Sequence, residues 1–153
     1  MSDPGTQPRE ASGPTPGFYV LKTDGGIAAE EGVAGPAAIG VVLKDPKYRD
    51  VDEVSQQIGW ARNHHEAEYK ALIEGLELAR RHGIGRIRVF LDSALVVNTV
   101  NGDWNLKAEH HKELLTKACG LVQEFADIKV SWVPREMNFE ADKLASRALG
   151  RDV

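Results

Sequence analysis

The stretch Phe18-Tyr19-Val20-Leu21-Lys22-Thr23-Asp24-Gly25-Gly26 constrains the fold of this chain most. Aromatic and β-branched residues run up to a carboxylate and two glycines, the pattern of a short β-strand that ends abruptly. A glycine pair bends the backbone sharply and lets another backbone approach closely. Asp24 is therefore expected at the C-terminal end of an interior strand, where open α/β sheets carry their chemistry. Asp-Gly-Gly alone is also an ordinary turn signal, so the remaining chain decides between the two readings.

With 153 residues the chain is one domain, long enough to bury a full core. Residues 1–16 are rich in Pro, Gly, Ser and charge and read as a disordered tail. The folded domain is placed at 17–150, with 151–153 as its C-terminal end. A net charge of −4 argues against a broadly basic nucleic-acid coat, although clustering matters more than the sum. Cys119, the one cysteine, falls on a helical apolar stripe and is expected to be inert core. The start lacks the basic-then-apolar pattern of a signal peptide, and no apolar run approaches transmembrane length. A cytoplasmic monomer without membrane association is the expectation.

After the first strand, a loop of small residues and glutamates leads to Ala37-Ala38-Ile39-Gly40-Val41-Val42-Leu43, a strand apolar enough to be buried on both faces. Asp45-Pro46 breaks it, Val54 to Trp60 makes a third strand, and the short connections favour an antiparallel meander. A helix over Ala67 to Ala79 follows, with Ala71, Leu72, Gly75, Leu76 and Ala79 on one face. At about 100° per residue, Glu68 points into the middle of that face. Glu66, Lys70, Glu74, Glu77 and Arg81 form the opposite, solvated side. An acid in the first turn also suits the helix dipole, but outward Glu66 would supply that equally, so the dipole does not explain an inward carboxylate.

His82-Gly83 ends this helix, and Arg86-Ile87-Arg88-Val89-Phe90-Leu91 is a strand running directly into Asp92-Ser93. A strand, a long helix and a strand predict a right-handed crossover with parallel pairing. Asp92 is a second carboxylate at a strand end, and capping the helix from Ser93 to Val100 is its alternative role. A longer helix then reaches Phe125, and Ile128 to Val133 makes the fifth strand. The last helix takes Asn138 as its N-cap and turns Ala141, Leu144, Ala145 and Ala148 inward, with Asp142 bordering that face.

The order is βββαβααβα, with Asp24, Glu68, Asp92 and Asp142 at element ends or inward faces. Four acids that converge without bases repel one another and raise their pKa values. Divalent cations relieve that, and an all-oxygen donor set selects Mg²⁺, with Mn²⁺ as a substitute, over zinc. The sequence offers no zinc spacing, phosphate-binding glycine loop or serine nucleophile elbow.

Four words in this order, Thr23-Asp24-Gly25-Gly26, Glu66-Ala67-Glu68-Tyr69-Lys70-Ala71-Leu72, Phe90-Leu91-Asp92-Ser93 and Val133-Pro134-Arg135-Glu136-Met137-Asn138-Phe139-Glu140-Ala141-Asp142, resemble the type 1 ribonuclease H domains over roughly residues 18–149. The resemblance implies an α/β, ribonuclease H-like fold: a five-stranded mixed sheet, an antiparallel meander and then parallel strands, flanked by helices, with the first strand central. It implies endonucleolytic hydrolysis of the RNA strand of RNA–DNA hybrids. The catalytic residues, and the ligands of two metal ions, would be Asp24, Glu68, Asp92 and Asp142, with Asp24 bridging both ions. The passage from Asn101 to Lys112 carries no basic protrusion and is similar to the handle-less branch.

Substrate contacts are expected from Gly25 and Gly26, whose backbone would meet RNA 2′-hydroxyls, and from Asn63, His64, His65, Ser93, Trp104, Lys107 and Arg135. The chain departs from the family pattern in three places. Asn63-His64-His65 stands where many members carry Thr-Asn-Asn, and Ala94 where a glutamine is common. No histidine follows His111, so the mobile histidine of some members would be replaced by Arg135 or Glu136, or be absent. His110, His111 and Lys112 join Trp104 and Lys107 as candidates to grip the DNA strand, a solvated helical turn being the alternative. Three other functions stay open: double-stranded RNA as a further substrate, a polynucleotide strand transfer, against which the words of the final helix argue, and a non-catalytic hybrid-binding module, against which the four retained acids argue.

Overall fold

A computed structural model describes residues 17–30, 32–105 and 109–151. The expected tail at 1–16, residues 152 and 153, and the predicted contact Lys107 lie outside the described residues. The elements run β1 (Tyr19–Ile27), β2 (Gly35–Lys44), β3 (Asp50–Ala61), α1 (His64–Arg81), β4 (Arg86–Leu91), α2 (Ala94–Val100), α3 (Glu109–Val122), β5 (Asp127–Trp132) and α4 (Phe139–Ala148), with a 3₁₀ turn at Arg135–Met137 before α4. They form one mixed sheet in the order β3-β2-β1-β4-β5. The first three strands are antiparallel neighbours, β4 joins β1 in parallel with Leu21 opposite Val89, and β5 joins β4 in parallel. The central strand is therefore the one that carries Asp24.

Register and small residues set where the helices dock. Leu21, Thr23 and Gly25 lie opposite Leu43, Val41 and Ile39 and share a face with them. Leu21 and Thr23 touch α1 at Gly75, and the buried side chains of Leu72 and Leu76 complete this side of the core. Burying each such leucine contributes about 1.5–3 kcal/mol. The other face presents Ala38, Gly40 and Val42 to α4. Two close approaches depend on a missing Cβ: one at Gly25 would fall 2.3 Å from the Ala67 carbonyl carbon of α1, and one at Gly40 would fall 2.0 Å from the Ala141 carbonyl oxygen of α4. Helices thus press on both faces at the level of Asp24.

Element boundaries differ from expectation in understandable ways. Strand β3 is longer because an edge strand pairs through its backbone whatever its side chains, so polar Asp50, Asp52 and Glu53 still pair with β2. Helix α1 starts earlier because Asn63 caps it, accepting from the Glu66 N–H at 3.0 Å, while Glu66 accepts from the Arg62 N–H at 3.0 Å. Helix α3 stops at Val122, short of Phe125. Cys119 is half-buried at the flank of the core rather than inside it, and burial pushes its thiol pKa up. Among the described residues no helix is long and apolar enough to cross a membrane.

Candidate active site

Each acid is delivered by a different element. Asp24 sits near the end of β1 and is 5% exposed. The carbonyl of the preceding Thr23 accepts a hydrogen bond from Asn138 Nδ2 at 2.9 Å. Asn138 stands at the N-cap position of α4 as expected, its carbonyl accepting from the Asp142 N–H at 3.1 Å, but it is fully buried and its side chain makes no cap bond. Its backbone, at φ −119° and ψ 23°, is not the extended conformation of a capping residue, and its side chain ties β1 to the start of α4 instead.

Glu68, in the first turns of α1, is wholly buried. Its Oε1 accepts from the Gly25 N–H at 3.2 Å, and its Oε2 is hydrogen-bonded to His64 Nε2 at 3.0 Å. Asp92 follows β4 directly. The adjacent Ser93 caps α2, its Oγ accepting from the Val96 N–H at 3.4 Å, so Asp92 is released from that alternative role. The Asp92 carbonyl accepts from Trp132 Nε1–H at 3.3 Å. Asp142 projects from α4 and lies 3.6 Å from the Arg135 guanidinium.

Carboxylate oxygens of Asp24, Glu68 and Asp92 fall within 4.8 Å of one another, and Asp142 lines the same cleft of about 280 Å³. Burial, reinforced by the charges of Glu68 and Asp92, holds the Asp24 carboxyl far above the usual range. Burial likewise raises Glu68. Asp92 is also raised by burial, with His64 and Arg135 pulling the other way. This cluster holds more negative charge than its neighbouring bases offset. A hard divalent cation fits it: the donors are all oxygen, mutually close and short of positive charge.

The structure brings Asp24, Gly25, Gly26, His64, Asp92, Arg135 and Asp142 to one cleft, with Glu68 behind it. Of the other predicted contacts among the described residues, Asn63, His65, Ser93 and Trp104 do not line this cleft. Asn63 is engaged as the α1 cap and accepts from His111 Nε2–H at 3.2 Å. His65 is half-buried, its ring edge-on to that of His111 at 6.2 Å, and burial lowers its pKa. His111 itself is buried against Tyr69 and offers no surface to a DNA strand. Ser93 is spent on capping, and Trp104 stands exposed beyond α2. Sequence reasoning missed Trp132, the Asn138 tether and Arg151, which lines the cleft from beyond α4. The turn signal Leu149-Gly150 was the available hint for Arg151.

The family model described as Reverse transcriptase-like matches residues 22–148. Bifunctional protein Rv2228c of Mycobacterium tuberculosis is 38% identical over 131 residues, which cover 85% of this chain and 35% of that protein. This chain therefore spans about a third of that relative's length. The solved structure of RNase H1 from the archaeon Halobacterium salinarum has a TM-score of 0.80 at 36% identity, covering 88% of this chain and 98% of the other. LC11-RNase H1, isolated from compost, has been crystallised in complex with an RNA/DNA hybrid. That structure has a TM-score of 0.77 at 33% identity, covering 86% of this chain and 96% of the other.

Proposed function

This chain belongs to the reverse transcriptase-like family, as a type 1 ribonuclease H domain, and on that premise we propose that residues 17–150 cut the RNA strand of RNA–DNA hybrids endonucleolytically. The observation that carries the reading is the meeting of Asp24, Glu68 and Asp92 within 4.8 Å, with Asp142 on the same cleft. The hybrid complex of a relative supports the substrate class.

Asp24, Glu68 and Asp92 would hold the cations, with Asp142 completing the set. The chemistry that two Mg²⁺ or Mn²⁺ ions supply when bound is activation of water and charge neutralisation in an in-line displacement at phosphorus. The chain's own residues prepare the site. Gly25 N–H and His64 hold the two oxygens of Glu68, so its carboxylate is oriented beforehand. Asn138 fixes the strand that carries Asp24. Arg135 faces the cleft beside Asp142 and can meet a substrate phosphate. The Gly25 N–H is committed to Glu68 and Gly26 pairs with Ala38 in the sheet, so the 2′-hydroxyl contact that separates RNA from DNA falls to the remaining backbone groups around Gly25 and Gly26.

The test compares RNA–DNA, RNA–RNA and DNA–DNA duplexes of one sequence, each with Mg²⁺ and with chelator. Metal-dependent cleavage of the RNA in the hybrid is expected. Efficient cutting of DNA–DNA, or hybrid cleavage that survives chelation, would overturn the reading.

A further inference from the structure

Residues 149–151 turn back on the end of α4. Gly150 adopts φ +82°, a conformation that favours glycine, and the Arg151 N–H donates back to the Ser146 carbonyl at 3.0 Å. This turn carries the Arg151 side chain across to the central strand, where its Nη2 donates to the Ile27 carbonyl at 2.6 Å. The guanidinium then lines the same cleft as Asp24, Asp92 and Asp142. Arg135, the other arginine of that cleft, lies 3.6 Å from Asp142. Arg151 is exposed and has no carboxylate within ion-pair distance among the described residues.

We propose that Arg151 binds a phosphodiester of the RNA strand beside the acid cluster. This rests on the hybrid-cleaving reading above and adds a residue beyond the family-matched span of 22–148. A guanidinium has five N–H donors in a rigid fork. One corner is fixed by Ile27, which holds the group in place, and the remaining edge matches two phosphate oxygens. A cleft walled by acids needs such a group, because a polyanionic backbone entering it meets repulsion wherever cations do not sit. The competing role is a latch that merely fastens the turn after α4 to β1. A latch needs a donor but no charge.

The experiment separates charge from latch in the full chain. Arg151→Gln keeps a donor for the Ile27 carbonyl and loses the charge; Arg151→Lys keeps the charge. Hybrid binding is measured across salt concentrations with Ca²⁺ in place of Mg²⁺ to prevent turnover, and thermal melting reports the latch. The expected result is a salt slope shallower by about 0.9 in Arg151→Gln, the value of one phosphate contact. That is roughly an eight-fold loss of binding at 0.1 M salt relative to the 1 M limit. Arg151→Lys should keep the wild-type slope. Replacing RNA phosphates one at a time by neutral methylphosphonates should reveal one position that weakens wild type but not Arg151→Gln. An unchanged slope in Arg151→Gln, or methylphosphonate losses identical in the two proteins at every position, would overturn the inference. If wild type does not bind the hybrid at all, the functional reading falls first and takes this inference with it.

Discussion

Glu66 and Glu68 stand two residues apart on α1 in opposite surroundings. Glu66 pairs with Lys70 at 2.9 Å and accepts from the Arg62 N–H, so it serves the helix end. Glu68 is wholly buried beside Asp24 and Asp92. Glu68→Gln should reduce cleavage by several orders of magnitude, because a neutral amide leaves the cation site one charge short. Glu66→Gln should leave cleavage intact and cost about 1 kcal/mol or less, since Gln can still accept from the Arg62 N–H while the part-exposed ion pair is worth little. Equal activity losses in the two variants would refute the division of roles. This division was legible in the sequence because helical periodicity puts Glu68 among Leu72, Gly75 and Ala79. The roles of Asn138 and Arg151 were not, since each bonds to a backbone carbonyl, of Thr23 and Ile27. Any residue supplies a carbonyl, so no side-chain pattern marks such a partner.

At the scale of elements, the site depends on how closely α1 and α4 reach the central strands. Glycine spacing made these approaches foreseeable at Gly25 but not at Gly40, which reads as one more small residue in an apolar strand. Only the register, with Asp24 opposite Gly40, shows that α4 rests on the same face from which Asp24 projects. Gly40→Ala would place its Cβ 2.0 Å from the Ala141 carbonyl oxygen and 2.7 Å from the Ala145 nitrogen. These are backbone atoms, so α4 must move as a body and take Asp142 with it. A loss of about 1–3 kcal/mol is expected from such overpacking, together with a fall in cleavage larger than the unfolded fraction explains. Urea unfolding paired with single-turnover cleavage would check this; unchanged stability would mean that α4 packs less tightly than described. The strand and helix order was readable throughout, because each element carries its own period. The extent of β3 was not, because pairing at a sheet edge leaves its polar side chains in water.

For the whole molecule, folding concentrates negative charge that the unfolded chain disperses, and stability should record this as a pH dependence. Burial and neighbouring charge raise Asp24 and Glu68 in the metal-free fold. The folded state then holds protons that the unfolded chain has released above about pH 4. Stability from these groups is complete at low pH and declines as pH rises toward their folded pKa values. Asp45, Asp52 and Glu66 are shifted down, so their contribution is lost only on the acid side, below about pH 4. His65 is lowered by burial, then by His64, and costs stability below about pH 6.5, where the unfolded imidazole takes up a proton. The unfolded Cys119 thiol ionises above about pH 8. Between about pH 6.5 and 8 the raised acids therefore dominate, and the metal-free melting temperature should fall across that window. Saturating Mg²⁺ or Mn²⁺ displaces the same protons, so the stabilisation by metal should grow as pH rises. Asp92→Asn removes one of the repelling charges and should flatten the metal-free decline. Melting curves at several pH values, with metal and with chelator, decide the matter: a metal-induced shift equal at both ends of the window would mean that the acids are already ionised and that no cation is needed to hold them together.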